Sequence, residues 1–482
     1  MSSKNNLKSI FVVYLLGLLL GGLYVGMVAP VRLVIQEQFG LDDATGIWMI
    51  NIYTLFYAAC IPVVGKLADM RGRKPVFLGC LITFGAGSLI CGLSQMAGSF
   101  EVLLAGRLVQ AVGACGVIPV ANAEIGSTFP QEKKGMALGI AAAVAGIANV
   151  LGAAAGSLIM GLVGNENWSA LFFFALPVCA ALVIAGVRVL PNRTVDNREP
   201  LDAAGSVLMV ITVLLLLLAL QGIDVGNLAA SLGSAAVLGP AAGFVVFLVA
   251  FVLVERRAKS PVFHLEYLGN RAIVVTMVVS FFVGCVTITM TLIPEVAEFI
   301  MDAPVGSGGL YILPVGVMCM FGPPLGGKLI DKFGPKPVLM SGLAIAAVGF
   351  FMLALASLGS ANAVLLIAGL AVMGLGMGFA MGAPTNYMIL ENTSPAESGS
   401  AIATIALVRQ VGTTVAPAVL LGFVTASPGA AGFFQMLVCA AGFCLVSLVC
   451  MLAVSREVTG AGAGLCGRLL EGKYLARCEG GL

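Results

Sequence analysis

The chain of 482 residues is 60% hydrophobic and 10% charged, carries a formal net charge of +2 and has a mean hydropathy of +1.06. So few charges exclude a soluble globular protein. Uninterrupted apolar stretches of about 20 residues are long enough to cross a bilayer as helices, whereas the period-two alternation of membrane strands is absent. The predicted fold class is an all-α integral membrane protein.

In chain order, the apolar stretches number about fourteen and predict about fourteen transmembrane helices. The first stretch follows a basic N-terminus but has no small-residue cleavage site, so we interpret it as an uncleaved helix. If the N-terminus is cytoplasmic, the cytoplasmic segments hold 22 of the 25 basic residues, the exceptions being Arg32, Arg107 and Arg409. Cytoplasmic loops carry an excess of Lys and Arg. This asymmetry predicts a multi-pass protein of the inner (plasma) membrane with both termini cytoplasmic.

One short phrase occurs twice. Residues 65–76 read GKLADMRGRKPV, and residues 327–338 read GKLIDKFGPKPV, with eight of twelve aligned positions identical at an interval of 262 residues. Such internal symmetry is typical of carriers whose two halves rock about a central site. It predicts two pseudo-symmetric six-helix bundles plus two inserted linker helices. The predicted boundaries are an N-terminal bundle at 1–200, two inserted transmembrane helices at 201–256, a C-terminal bundle at 257–455 and a cytoplasmic tail at 456–482.

The repeated phrase and its surroundings carry a family resemblance. The segment WMINIYTLFYAACIPVVGKLADMRGRKPVFLGCLITFGAGSLICGL, followed by AGRLVQAVGA, resembles the major facilitator superfamily, in particular its fourteen-helix drug:proton antiporter branch. The resemblance covers nearly the whole chain. The loop signature of the family is matched here by Gly65, Asp69, Gly72, Arg73 and Lys74.

The repeated phrase is predicted to act as a conformational latch. Gly72 permits a tight turn, and Asp69 can pair with Arg73 and lie against the positive N-terminal end of a helix from the other half. The resemblance implies that this loop holds the cytoplasmic side shut while the carrier faces outward. Alternatively, these charges only end a helix and follow the positive-inside rule. The predicted latch residues are Gly65, Asp69, Gly72, Arg73, Asp331 and Gly334, with Pro335 in place of the second arginine.

Polar residues inside the spans predict a proton and substrate pathway, because buried charges are costly in a membrane and usually line a cavity. Arg107 resembles the arginine of helix four that the family uses in proton coupling, although it could instead reach the outer interface. Glu124 could load a proton, or could simply be hydrated. The predicted pathway residues are Arg107, Gln110, Glu124, Arg409, Asn51, Tyr53 and Asn149.

Two positions depart from the family pattern. Gly21 stands where many fourteen-helix antiporters carry an acidic residue in helix one, nine residues before a proline. In helix five Ala153 replaces the proline of the antiporter motif, while Gly152 and Gly156 remain and predict close helix packing. These departures weaken the case for conventional proton antiport.

The predicted function is secondary active export of amphipathic small molecules, of the multidrug efflux type and proton-coupled, by alternating access. The alternative within transport is an exporter of an organic anion or metabolite without conventional proton antiport; a nutrient importer is a third. A lipid scramblase or a non-transporting receptor represents a different class. We expect no enzymatic activity, cofactor, metal, nucleotide or nucleic acid, and expect the partners to be the small substrate, the proton and the lipid bilayer.

Overall fold

A computed structural model describes residues 2–28, 31–192, 202–223, 228–258, 260–302, 311, 313–358, 363–381, 383–427 and 429–452. The predicted cytoplasmic tail at 456–482 and the proline of helix one, Pro30, lie outside the described residues.

Fourteen long helices make up most of this structure, and the described residues contain no strand. The first six are α1 (Ser2–Gly26), α2 (Trp48–Arg71), α3 (Arg73–Ala97), α4 (Phe100–Thr128), α5 (Gln131–Val163) and α6 (Ala175–Val189). The next two are α7 (Ala203–Gln221) and α8 (Ala235–Glu255). The last six are α9 (Arg271–Met301), α10 (Leu313–Phe333), α11 (Pro335–Leu358), α12 (Ala363–Ala380), α13 (Ser398–Ala426) and α14 (Ala430–Leu452). Shorter segments between them are the helices Arg32–Phe39, Asp43–Gly46, Ala170–Phe173, Leu228–Leu232 and Ala383–Glu391 and the 3-10 turns Asn165–Asn167, Leu265–Gly269 and Pro395–Glu397.

Length and composition confirm the all-α membrane class. Within the described residues, 13 helices are long and apolar enough to cross a membrane. Helix α5 is a further helix of 33 residues, about 50 Å long at 1.5 Å per residue. The structure is thus consistent with the predicted count of about fourteen.

Two groups of helices pack internally. Helix α4 packs on α2 and α3, and α1 packs on α5; likewise α11 packs on α12 and α14, and α9 packs on α13. Helix α7 packs on α2 and α8. Helix α8 is the most exposed of the described spans and turns apolar side chains outward, among them Val245, Val246 and Leu253, as a lipid-facing helix does.

The two copies of the repeated phrase form the same kind of turn. Gly72 joins α2 to α3 with φ of 90°, and Gly334 joins α10 to α11 with φ of 85°. A side chain is strained in this region, whereas glycine enters it freely. The end of the helix bundle at which both turns lie is called the motif end below.

The first six long helices, α1–α6, are called the first half below and the last six, α9–α14, the second half. The two halves approach very closely at the motif end. A Cβ atom built on Gly65 of α2 would lie 2.3 Å from Cβ of Ala403 and 2.8 Å from the carbonyl oxygen of Gly399 in α13. In the other half, a Cβ atom on Gly327 of α10 would lie 2.3 Å from the carbonyl oxygen of Gly135 in α5. Small residues at these contacts let the helix backbones meet, so this end of the molecule is closed.

Candidate functional site

Asp69 lies in the last turn of α2 and binds the N-terminus of α13 in the other half. Its Oδ1 atom accepts a hydrogen bond from the backbone N–H of Gly399 at 2.7 Å. Its Oδ2 atom accepts two more, from the backbone N–H and the hydroxyl of Ser400, both at 2.7 Å. The first N–H groups of a helix have no partner inside it and carry a partial positive charge. A carboxylate at this position therefore bonds the two halves to each other.

Arg73, the first residue of α3, joins the two halves a second time. Its Nη1 atom donates to Oε2 of Glu124 at 2.9 Å, which makes an ion pair. Its Nη2 atom donates to the carbonyl oxygen of Pro395 at 3.3 Å and to the hydroxyl of Ser398. Arg73 thus forms its ion pair with Glu124 of α4, while it acts on Asp69 electrostatically.

The second copy of the phrase makes the mirrored contact. Asp331, near the end of α10, accepts hydrogen bonds from the backbone N–H groups of Gly135 at 2.6 Å and Met136 at 2.9 Å. These amides lie in the second turn of α5, in the opposite half. Each half thus extends one aspartate to a helix of the other half at the motif end.

A third group of contacts closes the motif end between α5 and the short helix Ala383–Glu391. The side-chain amide of Gln131 donates to the hydroxyl of Tyr387 at 2.9 Å and to Oε1 of Glu391 at 3.1 Å. The ammonium of Lys134 lies over the Tyr387 ring, 4.9 Å from its centroid. Gln131, Lys134 and Glu391 are not among the site residues predicted from the sequence.

The connection between α8 and α9 covers the contact of Asp69 with α13. In it, the hydroxyl of Tyr267 donates to Oε2 of Glu397 at 3.4 Å, and the His264 ring packs 5.3 Å from that of Tyr267. Burial lowers the pKa of His264, and burial together with nearby Glu397 raises the pKa of Tyr267. The charged groups that act on His264 are Glu397, Lys66, Glu266 and Asp69. The only histidine of the chain thus faces the predicted latch.

Arg107 is held by several contacts inside the first half. It is 1% exposed; its Nε atom donates to the carbonyl oxygen of Met49 at 3.0 Å and its Nη1 atom to Oε1 of Gln110 at 2.6 Å. Gln110 in turn donates to the hydroxyl of Ser88 at 2.7 Å. The guanidinium stands 4.1 Å from the centroid of the Tyr53 ring, a favourable cation–π geometry.

Arg409, on α13, has far fewer contacts. Its Nη2 atom donates to the hydroxyl of Thr385 at 3.1 Å, while its Nε atom is buried without a hydrogen-bond partner. The Tyr57 side chain of α2 is close enough to interact with it electrostatically. No ion pair found among the described residues includes Arg409.

The remaining predicted residues are distributed over two helices. Asn51 on α2 is partly exposed, and Asn149 on α5 is exposed. Gly152 and Gly156 of α5 face the backbone of α1, because Cβ atoms there would lie 2.3 Å from the Leu23 carbonyl oxygen and 2.4 Å from that of Met27. The structure therefore groups Arg107 with Gln110 and Tyr53, and Glu124 with Arg73, while Asn149 lies with the two glycines on α5.

The described residues contain no group of three or more histidine, cysteine or acidic residues that could hold a metal ion. What they do contain are charged contacts between two halves at one end and guanidinium groups buried between helices.

Comparison with known proteins gives the same picture. The model of the Major Facilitator Superfamily matches residues 14–417. The uncharacterized MFS-type transporter YfiU of Bacillus subtilis is 34% identical over 418 residues, 86% of this chain and 79% of its own length. The multidrug transporter protein MdtP of the same organism is 30% identical over 396 residues, 82% of this chain and 70% of its own length.

Among solved structures, the proton:xylose symporter XylE bound to 6-bromo-6-deoxy-D-glucose superposes with a TM-score of 0.68 at 14% identity, covering 93% of this chain and 96% of XylE. At that identity the likeness shows the fold alone. The proteins that match along most of the chain are transporters and not enzymes. The chain is a multi-pass membrane transporter that belongs to the Major Facilitator Superfamily.

Proposed function

We propose that the protein is a secondary active exporter of amphipathic small molecules that works by alternating access and is driven by proton antiport. Support for the substrate class comes from the relative MdtP, whose name describes a multidrug transporter. Support for alternating access comes from the geometry of the motif end.

The mirrored aspartate contacts are the observation that carries the proposal. Asp69 binds the N-terminus of α13, and Asp331 binds the second turn of α5, each across the boundary between halves. Both contacts exist only while the motif end is closed. Opening that end breaks both, so together they act as the latch that sets the relative stability of the closed and open states.

Glu124 is the proposed proton carrier. Its carboxylate is 3% exposed and receives hydrogen bonds from Arg73 and from the Thr128 hydroxyl at 2.8 Å. Arg73 also bonds to the Ser398 hydroxyl in the other half. Protonation of Glu124 removes the charge that holds Arg73 in place, and this weakens the bond of Arg73 to the second half. A proton on one side chain is thereby converted into opening of the motif end.

The proposed orientation places the motif end on the cytoplasmic side of the inner (plasma) membrane. Lys66, Lys74, Lys328 and Lys332 lie in or beside the two copies of the phrase, and basic loops face the cytoplasm. Substrate would then enter from the cytoplasm or inner leaflet and leave on the outside.

Dye efflux from vesicles tests the proposal. Purified protein in liposomes with an imposed pH gradient should move at least one of two amphiphilic dyes, the cationic rhodamine 6G or the anionic 5-carboxyfluorescein, while a trapped pH-sensitive dye reports proton movement in the opposite direction. Glu124→Gln should abolish the coupled proton movement, whereas Glu101→Gln, an exposed acid at the other end of α4, should not. Dye movement in wild type that proceeds without proton movement would overturn the proton coupling. Absence of movement for every amphiphile tested would overturn the export function.

A further inference from the structure

Arg409 carries an uncompensated charge at mid-depth in the helix bundle. It is the twelfth residue of α13, about 17 Å from the start of that helix at 1.5 Å per residue. Its Nε atom is buried without a partner, and the hydrogen bond that it donates goes to a neutral hydroxyl, that of Thr385. In the part of the chain that the structure describes, no carboxylate pairs with it. A guanidinium inside a membrane normally has a counter-charge or lines a pathway.

Arg107 is the internal comparison, because it too lies inside a span without a carboxylate. Two of its nitrogens, however, donate to Met49 and Gln110, and its flat face is covered by the Tyr53 ring. It is also fully buried, whereas Arg409 is partly exposed. Arg107 is thus satisfied by the protein itself. Arg409 retains donor atoms for a ligand.

Two tyrosines connect these arginines across the boundary of the halves. Tyr53 and Tyr57 are one helical turn apart on α2, with ring centroids 6.1 Å apart and planes inclined by 18°. Tyr53 faces Arg107 of α4, and Tyr57 interacts with Arg409 of α13. A ligand at Arg409 would therefore touch α2 of the first half and α13 of the second half at once. Contact with both halves is what a transported solute requires in order to influence their relative position.

We propose that Arg409 and Tyr57 form an anion subsite, with the guanidinium oriented by its hydrogen bond to the buried Thr385 hydroxyl, and that this subsite binds the carboxylate, sulfonate or phosphonate group of an amphipathic organic substrate. The inference rests on the proposed export function and narrows its substrate class. A planar guanidinium presents a fork of N–H donors that matches such groups in a bidentate manner. The Thr385 hydroxyl accepts a hydrogen bond from Arg409 and so fixes the direction of the fork, and the face of Tyr57 suits an aromatic substrate body. A lipophilic cation placed at this point would meet charge repulsion.

Binding of two matched dyes tests the anion subsite. The anionic 5-carboxyfluorescein and the cationic rhodamine 6G share a xanthene core, and their fluorescence anisotropy measures affinity independently of transport. The protein is reconstituted into nanodiscs of phosphatidylcholine so that the lipid adds no net charge. The variants are Arg409→Gln, Arg409→Lys and Thr385→Val, and the control is Arg188→Gln, which removes one positive charge from an exposed position at the end of α6.

Arg409→Gln should weaken binding of 5-carboxyfluorescein by roughly tenfold or more, as expected for a lost charge-assisted pair, and should leave rhodamine 6G unchanged or bound more tightly. Arg409→Lys keeps the charge without the fork, so a smaller loss is expected. Arg188→Gln should resemble wild type. If Arg409→Gln does not fold, a loss selective for the anion in Arg409→Lys and Thr385→Val supports the subsite.

Two results would overturn the subsite: equal losses for both dyes in the Arg409 variants, or no binding of the anion by wild type. A different result would overturn the export function without affecting the subsite. If binding of 5-carboxyfluorescein depends on Arg409 but no dye crosses the membrane of a vesicle, the anion subsite stands and the export function falls. If rhodamine 6G is exported and wild type does not bind 5-carboxyfluorescein, the export function stands and the anion subsite falls.

Discussion

Replacement of Asp69 by asparagine tests the proposed latch most directly. The side chain keeps its shape, but one carboxylate oxygen becomes an amide that can only donate, and the negative charge is lost. The three hydrogen bonds from Gly399 and Ser400 cannot all be made by one remaining oxygen. At least one N–H of α13 then lies without an acceptor while the motif end is closed.

The size of the effect follows from these contacts. A buried donor left without a partner costs about 1–3 kcal/mol, and loss of a charge at a helix N-terminus costs about 0.3–1 kcal/mol, or up to about 2 kcal/mol where partly buried. In the open state these groups are hydrated, so the penalty falls on the closed state alone. A total of about 1.3–4 kcal/mol shifts the equilibrium towards the open state by roughly 8- to 700-fold, since about 1.4 kcal/mol corresponds to tenfold.

Hydrogen–deuterium exchange with mass spectrometry measures this shift by comparing the Asp69→Asn variant with wild type. Exchange of the backbone amides at 398–401 should accelerate in Asp69→Asn by a factor in this range, and transport should slow because the outward-facing state is depopulated. Asp331→Asn is the matched control, and its primary effect should appear at the amides of Gly135 and Met136. Unchanged exchange at 398–401, together with normal turnover in Asp69→Asn, would refute the latch.

Three further predictions concern the motif end. Gly327→Ala should open the motif end and accelerate amide exchange in α5, because the new methyl group would lie 2.3 Å from the Gly135 carbonyl oxygen. Gly146→Ala is the control, because a Cβ atom there meets nothing within 4 Å. Arg73→Lys should reduce transport, because one ammonium cannot replace bonds to both halves, and full activity would show that charge alone suffices. Burial lowers the pKa of His264, so the packing of its loop should be complete above the unfolded pKa of about 6.5 and should weaken as the pH falls below that value. Amide exchange at 260–270, corrected for intrinsic rates, should therefore be faster at pH 5.5 than at pH 7.5 in wild type. In His264→Asn this pH dependence should disappear.

Much of the fold could be predicted, because the hydropathy and charge of each segment indicate its helix and its side of the membrane without knowledge of the other segments. Each span must satisfy its own backbone groups, so the length of each apolar run determines a helix without reference to its neighbours. The repeat at an interval of 262 residues adds the expectation of two related halves. The turns at Gly72 and Gly334, both with positive φ, could likewise be expected from the glycines alone.

The contacts of the candidate site were less predictable, because they depend on how distant helices cross. Asp69 and Arg73 are four residues apart and would be neighbours on one helix. The turn at Gly72 separates them, however, and sends Asp69 to α13 and Arg73 to Glu124, which is 51 residues away in sequence. The sequence could single out Arg107 and Arg409 as buried charges. Only the packing of α2 against α4 and α13 distinguishes the satisfied arginine from the unsatisfied one.

The two copies of the phrase are not equivalent, and the difference bears on how a proton could open the transporter. Asp69 and Asp331 make mirrored contacts, but the position of Arg73 in the first copy is occupied by Pro335 in the second. Proline has no side-chain donor, so it cannot link an acidic residue to the opposite half. In the proposed mechanism, protonation of Glu124 therefore acts on the contact of α3 with α13 and leaves the contact of α5 with α10 to follow. The proposed mechanism accordingly needs protonation of only one side chain at the motif end, that of Glu124.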